Sequence, residues 1–252
     1  MLLVAPVLLS LAGAQSSATL RYKFKAGESF KYELSVGSTM TLGTAPKPNV
    51  RRLDTLSAYQ VGAINKDGSA NTTVTVEKAG GVGMMPSMVK NVQGKKSSFD
   101  FSPTGKVTNL RVDAASFRTA GFESDSTQLL TAFPTGPVHV GTSWSSGFSA
   151  PHVGNVTLKN TVTSISGGLA HIRAVGHFDI GAAMKKLPVG PHATGNMDLA
   201  LDYVFNIGKG LMLSVSGGGK FNMSIAGRKR SGGPAPSTNM VGTQSFKLKL
   251  AM

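Results

Sequence analysis

Met197-Asp198-Leu199-Ala200-Leu201-Asp202-Tyr203-Val204-Phe205-Asn206-Ile207 places a large apolar side chain at every second position, with Asp198, Ala200 and Asp202 between. Successive side chains of an extended strand point to opposite faces, so this stretch predicts a strand with one buried face and one solvated face. A helix would scatter the same residues around its axis. Gly208-Lys209-Gly210 then turns the chain back into Leu211, Leu213 and Val215. The result is an antiparallel hairpin, and the same period of two recurs on both sides of it.

Toward the N terminus, Phe30, Tyr32, Leu34 and Val36 alternate after Gly27. Leu20, Tyr22 and Phe24 also alternate, with Arg21, Lys23 and Lys25 opposite, and predict a strand. Residues 53–64 predict a strand interrupted near its middle. Lys66-Asp67-Gly68 supplies a hairpin turn, because Asp-Gly tolerates positive φ, and Ala70, Thr72, Val74 and Val76 form the return. Phe99 and Phe101 lead into Ser102-Pro103-Thr104-Gly105, a β-turn with proline at its second position, and residues 107–112 continue beyond it. Toward the C terminus, Phe221, Met223 and Ile225 predict a separate strand. Phe246, Leu248, Leu250 and Met252 predict the last, with Lys247 and Lys249 outward. Only residues 124–133 read as helix: carboxylates near the start suit the positive end of a helix dipole, and Pro134 ends it.

The two halves match in order. Gly27-Glu28-Ser29-Phe30 corresponds to Gly141-Thr142-Ser143-Trp144, and residues 56–70 to 158–170. Ala70-Asn71-Thr72-Thr73-Val74 corresponds to Ala170-His171-Ile172-Arg173-Ala174. Each returning strand enters a loop of Gly, Pro, Met and Lys: residues 79–96, then 181–195. Each loop feeds an aromatic strand ending in a turn with Gly and Lys. The expectation is a mainly β fold of duplicated antiparallel modules, shaped as a curved half-barrel, a sandwich or a barrel, with one short connecting helix. The modules are 15–113 and 138–252, joined by 114–137 and packed as one domain.

Residues 2–12 are an apolar run too short to span a membrane as a helix. With Ala12-Gly13-Ala14 behind it, it reads as a secretory signal over residues 1–14, cleaved before Gln15. Leu11-Ala12-Gly13-Ala14 is similar to a bacterial lipoprotein box with alanine where the lipidated cysteine stands. The expected product is exported, periplasmic or extracellular, and not lipid-anchored. The absence of cysteine from the chain excludes disulfides, thiolate metal sites and thiol nucleophiles.

The chain carries 26 Lys and Arg against 12 Asp and Glu, a net charge of +14. Such a field attracts anionic partners. Nucleic acid is not expected, because the aromatic residues sit in strands rather than between basic residues. Catalytic signatures are missing: there is no Gly-x-Ser-x-Gly elbow, His-Glu-x-x-His helix or phosphate-binding Walker loop. His171 and His177 share a face of one strand but lie too far apart for one metal. No metal and no cofactor is expected.

The candidate binding residues are the basic pairs Lys95-Lys96 and Lys185-Lys186, the triplet Arg228-Lys229-Arg230, and the loop methionines Met84, Met85 and Met88. Arg51-Arg52 is a fourth basic cluster. Flexible thioethers suit promiscuous apolar contact, and loops carry binding more often than strands. The leading expectation is a non-enzymatic exported protein that binds an apolar or amphipathic anionic ligand such as lipid, with peripheral membrane contact. The alternatives are a scaffold docking to an anionic cell-surface polymer, and a hydrolase with an unfamiliar site.

Tyr22-Lys23-Phe24-Lys25-Ala26-Gly27-Glu28, Ser102-Pro103-Thr104-Gly105-Lys106-Val107, Phe133-Pro134 and Pro137-Val138-His139-Val140-Gly141-Thr142-Ser143-Trp144 carry a resemblance to an uncharacterised family of secreted bacterial proteins. That resemblance implies architecture alone and no catalytic residues. A looser likeness, of shape only, is to half-barrel periplasmic lipoprotein carriers.

Overall fold

The computed structural model describes residues 17–43, 45, 47–112, 130–150, 154–179, 193–226 and 237–251. Its strands are β1 (Ser29–Leu42), β2 (Asn49–Ile64), β3 (Ala70–Val82), β4 (Lys96–Phe101), β5 (Val107–Val112), β6 (Ser143–Ala150), β7 (Gly154–Ser166), β8 (Leu169–Asp179), β9 (Ala193–Asn206), β10 (Leu211–Ala226) and β11 (Ser237–Ala251). One helix, α1, covers Pro86–Val92. The strands form one antiparallel sheet of 11 strands in the order β5-β4-β3-β2-β1-β11-β10-β9-β8-β7-β6. β5 and β6 are its free edges, so the sheet is open, neither a closed barrel nor a sandwich.

The period of two seen in the sequence becomes one continuous apolar face. Tyr32, Leu34 and Val36 of β1 stand opposite Leu250, Leu248 and Phe246 of β11. Leu248 faces Val215 on β10, which faces Tyr203 on β9, which faces Ile172 on β8. Tyr32, Val36, Leu248, Val215, Tyr203 and Ile172 are buried, while Lys31, Glu33, Lys247 and Lys249 lie exposed on the other face.

The apolar face is the concave one. Tyr22 stands 4.7 Å from Phe101 of β4 and 5.3 Å from Phe205 of β9, so those two rings are no more than about 10 Å apart. Along the sheet, β4 and β9 are six strand spacings apart, roughly 29 Å. The sheet is therefore curled far enough to bring its two halves onto one ring. Glycines on the inner face allow the tight curl. At Gly217 a Cβ would stand 2.1 Å from the Ala200 carbonyl oxygen, and at Gly219 2.3 Å from that of Asp198.

This glycine run corrects one sequence expectation. Leu211–Ala226 is a single strand, β10, where residues 211–215 and 221–225 were expected as two. Gly217-Gly218-Gly219 looks like a break in a pattern of side chains, but the backbone keeps its ladder pairing with both neighbours.

Leu20, Tyr22 and Phe24 alternate as expected yet belong to no ladder. Their segment crosses one end of the concave face as a strap. Tyr22 N donates to the Pro103 carbonyl at 2.8 Å and Lys23 N to that of Gly210 at 3.2 Å, linking the β4–β5 and β9–β10 turns. Residues 130–138 lie beside it: Ala18 and Val138 exchange two 2.8 Å hydrogen bonds, and Arg21 donates to the carbonyls of Pro134 and Thr135. Phe133 N donates to the Thr104 carbonyl at 2.7 Å, and the Trp144 indole donates to that of Ala132 at 2.6 Å. Two crossing segments thus plug one end of the curl and bridge the gap between β5 and β6.

One short helix is present among the described residues, but the stretch expected to hold it lies mostly outside them. Residues 124–129 lie outside the described residues, and Leu130–Phe133 is not helical. The helix that is present, α1, falls within the stretch read as a loop. Pro86 starts it, where a missing N–H costs nothing, but seven residues are too few to show a periodic pattern.

β1–β5 and β6–β10 are both up-and-down meanders with matching registers. Gly27 N donates to the Val61 carbonyl while Val61 N donates to that of Glu28, both at 2.9 Å. In the second meander Gly141 N donates to Val162 at 2.8 Å, and Val162 N to Thr142 at 3.0 Å. Ala70 pairs with Phe101 as Ala170 pairs with Phe205.

Candidate functional site

An up-and-down meander alternates its connections between two ends. The β2–β3, β4–β5, β7–β8 and β9–β10 turns share the plugged end. The β1–β2 and β3–β4 connections, and the strand ends Asp179, Ala193, Ala226 and Ser237, share the other. Among the described residues no strap crosses that second end.

Burial changes accordingly along each strand. Near the plug, Tyr32, Leu248, Val215 and Tyr203 are sealed from solvent. Toward the open end, beyond the polar positions Ser38, Arg51 and Gln244, the inner face of β1, β10 and β11 is apolar again but only half-buried. Met40 stands opposite Gly242, which stands opposite Phe221; one row further, Leu42 is opposite Met240, and Met240 opposite Met223. Met40, Phe221, Met223 and Met240 are half-buried and Leu42 is exposed. α1 folds over the β3 side of this wall, where Gly81 leaves room: a Cβ there would stand 3.1 Å from Val89 Cγ2 and 3.3 Å from Met84 Sδ. The arrangement is a trough, closed at one end, with an adaptable thioether lining at the other.

Of the residues expected to bind, Met84 is half-buried against Gly81 and Met85 is exposed beside it. Met88 lies in α1. Lys95 is half-buried at the foot of the β3–β4 connection, where its carbonyl accepts from Val76 N at 3.0 Å. Lys96 opens β4 opposite Thr75, exposed on the outer face and not in the trough. Lys185, Lys186, Arg228, Lys229 and Arg230 lie outside the described residues. The strand ends flanking them, Asp179 with Ala193 and Ala226 with Ser237, are at the open end.

Four of the segments that leave strands at this end have a one-sided composition, although Asp179 ends β8 there and Asp113 follows β5 in the sequence. Residues 43–48, 83–95, 180–192 and 227–236 contain Lys47, Lys90, Lys95, Lys185, Lys186, Arg228, Lys229 and Arg230, and no Asp or Glu. The outer face of the sheet, by contrast, mixes signs in cross-strand pairs. Arg173 pairs with Asp202 at 2.5 Å and Lys31 with Glu77 at 2.7 Å, and His177 hydrogen-bonds Asp198 at 2.6 Å. A shallow depression of about 420 Å³ over β8 and β9 contains the His177–Asp198 pair. No trio of metal-ligating side chains occurs among the described residues. Trp144, half-buried and bonded to Ala132, is part of the plug.

Sequence reading missed the trough lining. Met40, Met223 and Met240 are far apart in the chain, and only the pairing of β1, β10 and β11 brings them together. Arg51, seen only as half of a basic pair, is on the inner face, and Arg52 on the outer.

No family model matches the chain, and no curated protein is similar to it in sequence. Among solved structures it is similar to lipovitellin, in a structure describing that protein's lipid–protein interactions, with a TM-score of 0.51 and 10% identity over 91% of this chain. The chain spans 26% of the length of that lipovitellin chain, and at this identity the likeness shows the fold alone: a large, curled antiparallel sheet.

Proposed function

We propose that this is a non-enzymatic, exported protein that binds an apolar or amphipathic anionic ligand, lipid above all, in the open half of its trough. The observation that carries this reading is the half-buried inner wall of Met40, Phe221, Met223 and Met240. An apolar concave face left unsealed has surface to gain by covering it. The fold likeness to lipovitellin, a protein with described lipid interactions, is compatible with such a ligand. Basic connections at the same end give an anionic ligand a favourable field as it approaches. Lys185, Lys186 and Arg228-Lys229-Arg230, in the sequence of two of those connections, are the candidate cations, and Met84, Met85 and Met88 add apolar contact. Export follows from the signal-like residues 1–14 and rests on them alone.

Extraction of the protein purified from its native host, followed by mass spectrometry, tests the reading. Retained lipid, or saturable binding of an apolar dye that added lipid displaces, is the expected result. Protein that carries no lipid and binds no such dye ends it. The second reading, docking to an anionic surface polymer, draws on the same basic connections. It predicts polymer retention that falls steeply with salt and leaves dye binding unchanged.

A further inference from the structure

On β1, β10 and β11 the inner wall of the trough is apolar on both sides of one polar row, while β2 adds Thr55 and Ser57 nearer the plug and Asn49 beside Met40. Leu53, Val36 and Phe246 form the row nearer the plug, and Met40, Gly242 and Phe221 the row nearer the mouth. Between them Ser38 of β1 stands directly opposite Arg51 of β2 on one side and Gln244 of β11 on the other. Side chains opposite one another in an antiparallel pair share a face, with Cβ atoms about 5 Å apart. A guanidinium, a hydroxyl and an amide are thus side by side between the apolar rows of Val36 with Phe246 and of Met40 with Phe221.

Among the described residues these groups have one protein partner between them. Ser38 is 5% exposed, and its hydroxyl has no hydrogen bond among the described residues. The Gln244 amide likewise has none there, and Arg51 reaches only Asn49 Oδ1, at 3.2 Å. Arg52, one residue on and facing outward, pairs with Asp54 at 2.9 Å. Buried polar groups are ordinarily satisfied, and one that is not calls for an explanation, a bound ligand among them. An arginine without a carboxylate, beside a hydroxyl and an amide donor, presents the fork that an oxyanion fills.

We propose that Arg51, Ser38 and Gln244 form the headgroup site of the trough, taking the terminal oxyanion of a long-chain amphiphile. The hydrocarbon then lies outward along Met40, Phe221, Met223 and Met240. This rests on the reading of the trough as an apolar binding site and adds the chemical class and orientation of its ligand. Carboxylate and phosphate share the required chemistry, a fatty acid supplying one and a phospholipid the other.

Binding of oleate, oleyl phosphate and methyl oleate, each below its aggregation concentration, tests the proposal by displacement of an environment-sensitive dye. Wild-type protein should bind at least one of the two anions about tenfold more tightly than the uncharged ester, as expected for charged hydrogen bonds. Whichever anion binds better identifies the source of the headgroup. Arg51→Met should abolish the preference and leave the ester unaffected, Ser38→Ala should reduce it, and Arg52→Met should change nothing. Should Arg51→Met not fold, Arg51→Gln and Ser38→Ala carry the same comparison. Equal binding of anions and ester by the wild type, or equal losses for Arg51→Met and Arg52→Met, would overturn the headgroup site while leaving the trough intact. Failure of the wild type to bind all three would remove both.

Discussion

Tyr22 and Phe205 meet edge to face with ring centroids 5.3 Å apart, joining a segment outside the sheet to the C-terminal end of β9. The contact matters because Tyr22 also touches Phe101 and Phe133, at 4.7 and 5.1 Å, and so ties both halves of the sheet to both crossing segments.

Tyr22→Ala should therefore cost about 3–5 kcal/mol, the range for removing a large aromatic from a core. Tyr22→Phe should cost only about 1 kcal/mol, the hydrogen bond to the Thr131 carbonyl at 3.2 Å. Urea denaturation of the two variants separates packing from hydrogen bonding. Equal losses would mean that the ring is dispensable and the plug is not held by it.

Gly217 and Gly80 should respond in opposite directions to alanine. Gly217 has a φ of +147° and no room for a Cβ, with the Ala200 carbonyl 2.1 Å away. Its replacement should cost about 3 kcal/mol or more through overpacking and backbone strain. Gly80 has nothing within 4 Å of its missing Cβ, and Gly80→Ala should stabilise by about 0.5 kcal/mol through the unfolded chain. Thermal melts of the pair decide it, and a neutral Gly217→Ala would show that the curl does not need a bare backbone there.

Alkaline pH should unfold the protein cooperatively. Burial raises the pKa of Tyr22, Tyr32 and Tyr203 above 10.0, the value of an exposed phenol. For an acid whose folded pKa is raised, the stability contributed is present in full below the unfolded pKa and is lost as pH rises above it. Absorbance at the phenolate band should thus lag behind that of a free tyrosine above pH 10 and then rise together with the loss of β circular dichroism. Phenolate appearing at its ordinary pH, with the sheet intact, would place these rings in solvent.

The outer-face ion pairs should contribute little. Arg173 and Asp202 have side chains 45% and 55% exposed, and exposed pairs contribute roughly 0.2–1 kcal/mol. Asp202→Asn should shift the denaturation midpoint only slightly, and the shift should shrink further in 0.5 M salt. A large, salt-resistant loss would mark the pair as a structural clasp.

The plug and the trough were legible to different degrees. Tyr22 and Leu20 announce a buried face by their alternation, but alternation reports only that every second side chain is covered, not that a ladder does the covering. The strap satisfies its backbone through Pro103 and Gly210, in turns some 80 and 190 residues downstream, which no local pattern encodes. The trough lining was less legible still. Met223 was read in a strand and Met84 in a loop, yet half-burial, the property that makes a surface available to a ligand, is set by what the rest of the sheet leaves uncovered.

The sequence by itself determined the strands, their inner and outer faces and most of the turns, because period-two hydrophobicity and Asp-Gly or Pro-Gly chemistry act over a few residues. It also carried the excess of positive charge and the ordered correspondence between the halves. Only the tertiary structure decided that the sheet stays open, which end is sealed, and that Arg51, Ser38 and Gln244 share one row. Strand order and register are set by pairings between residues as far apart in the chain as Lys31 and Ala251. A shift of one residue in β2 would carry Arg51 to the outer face and Arg52 into the trough.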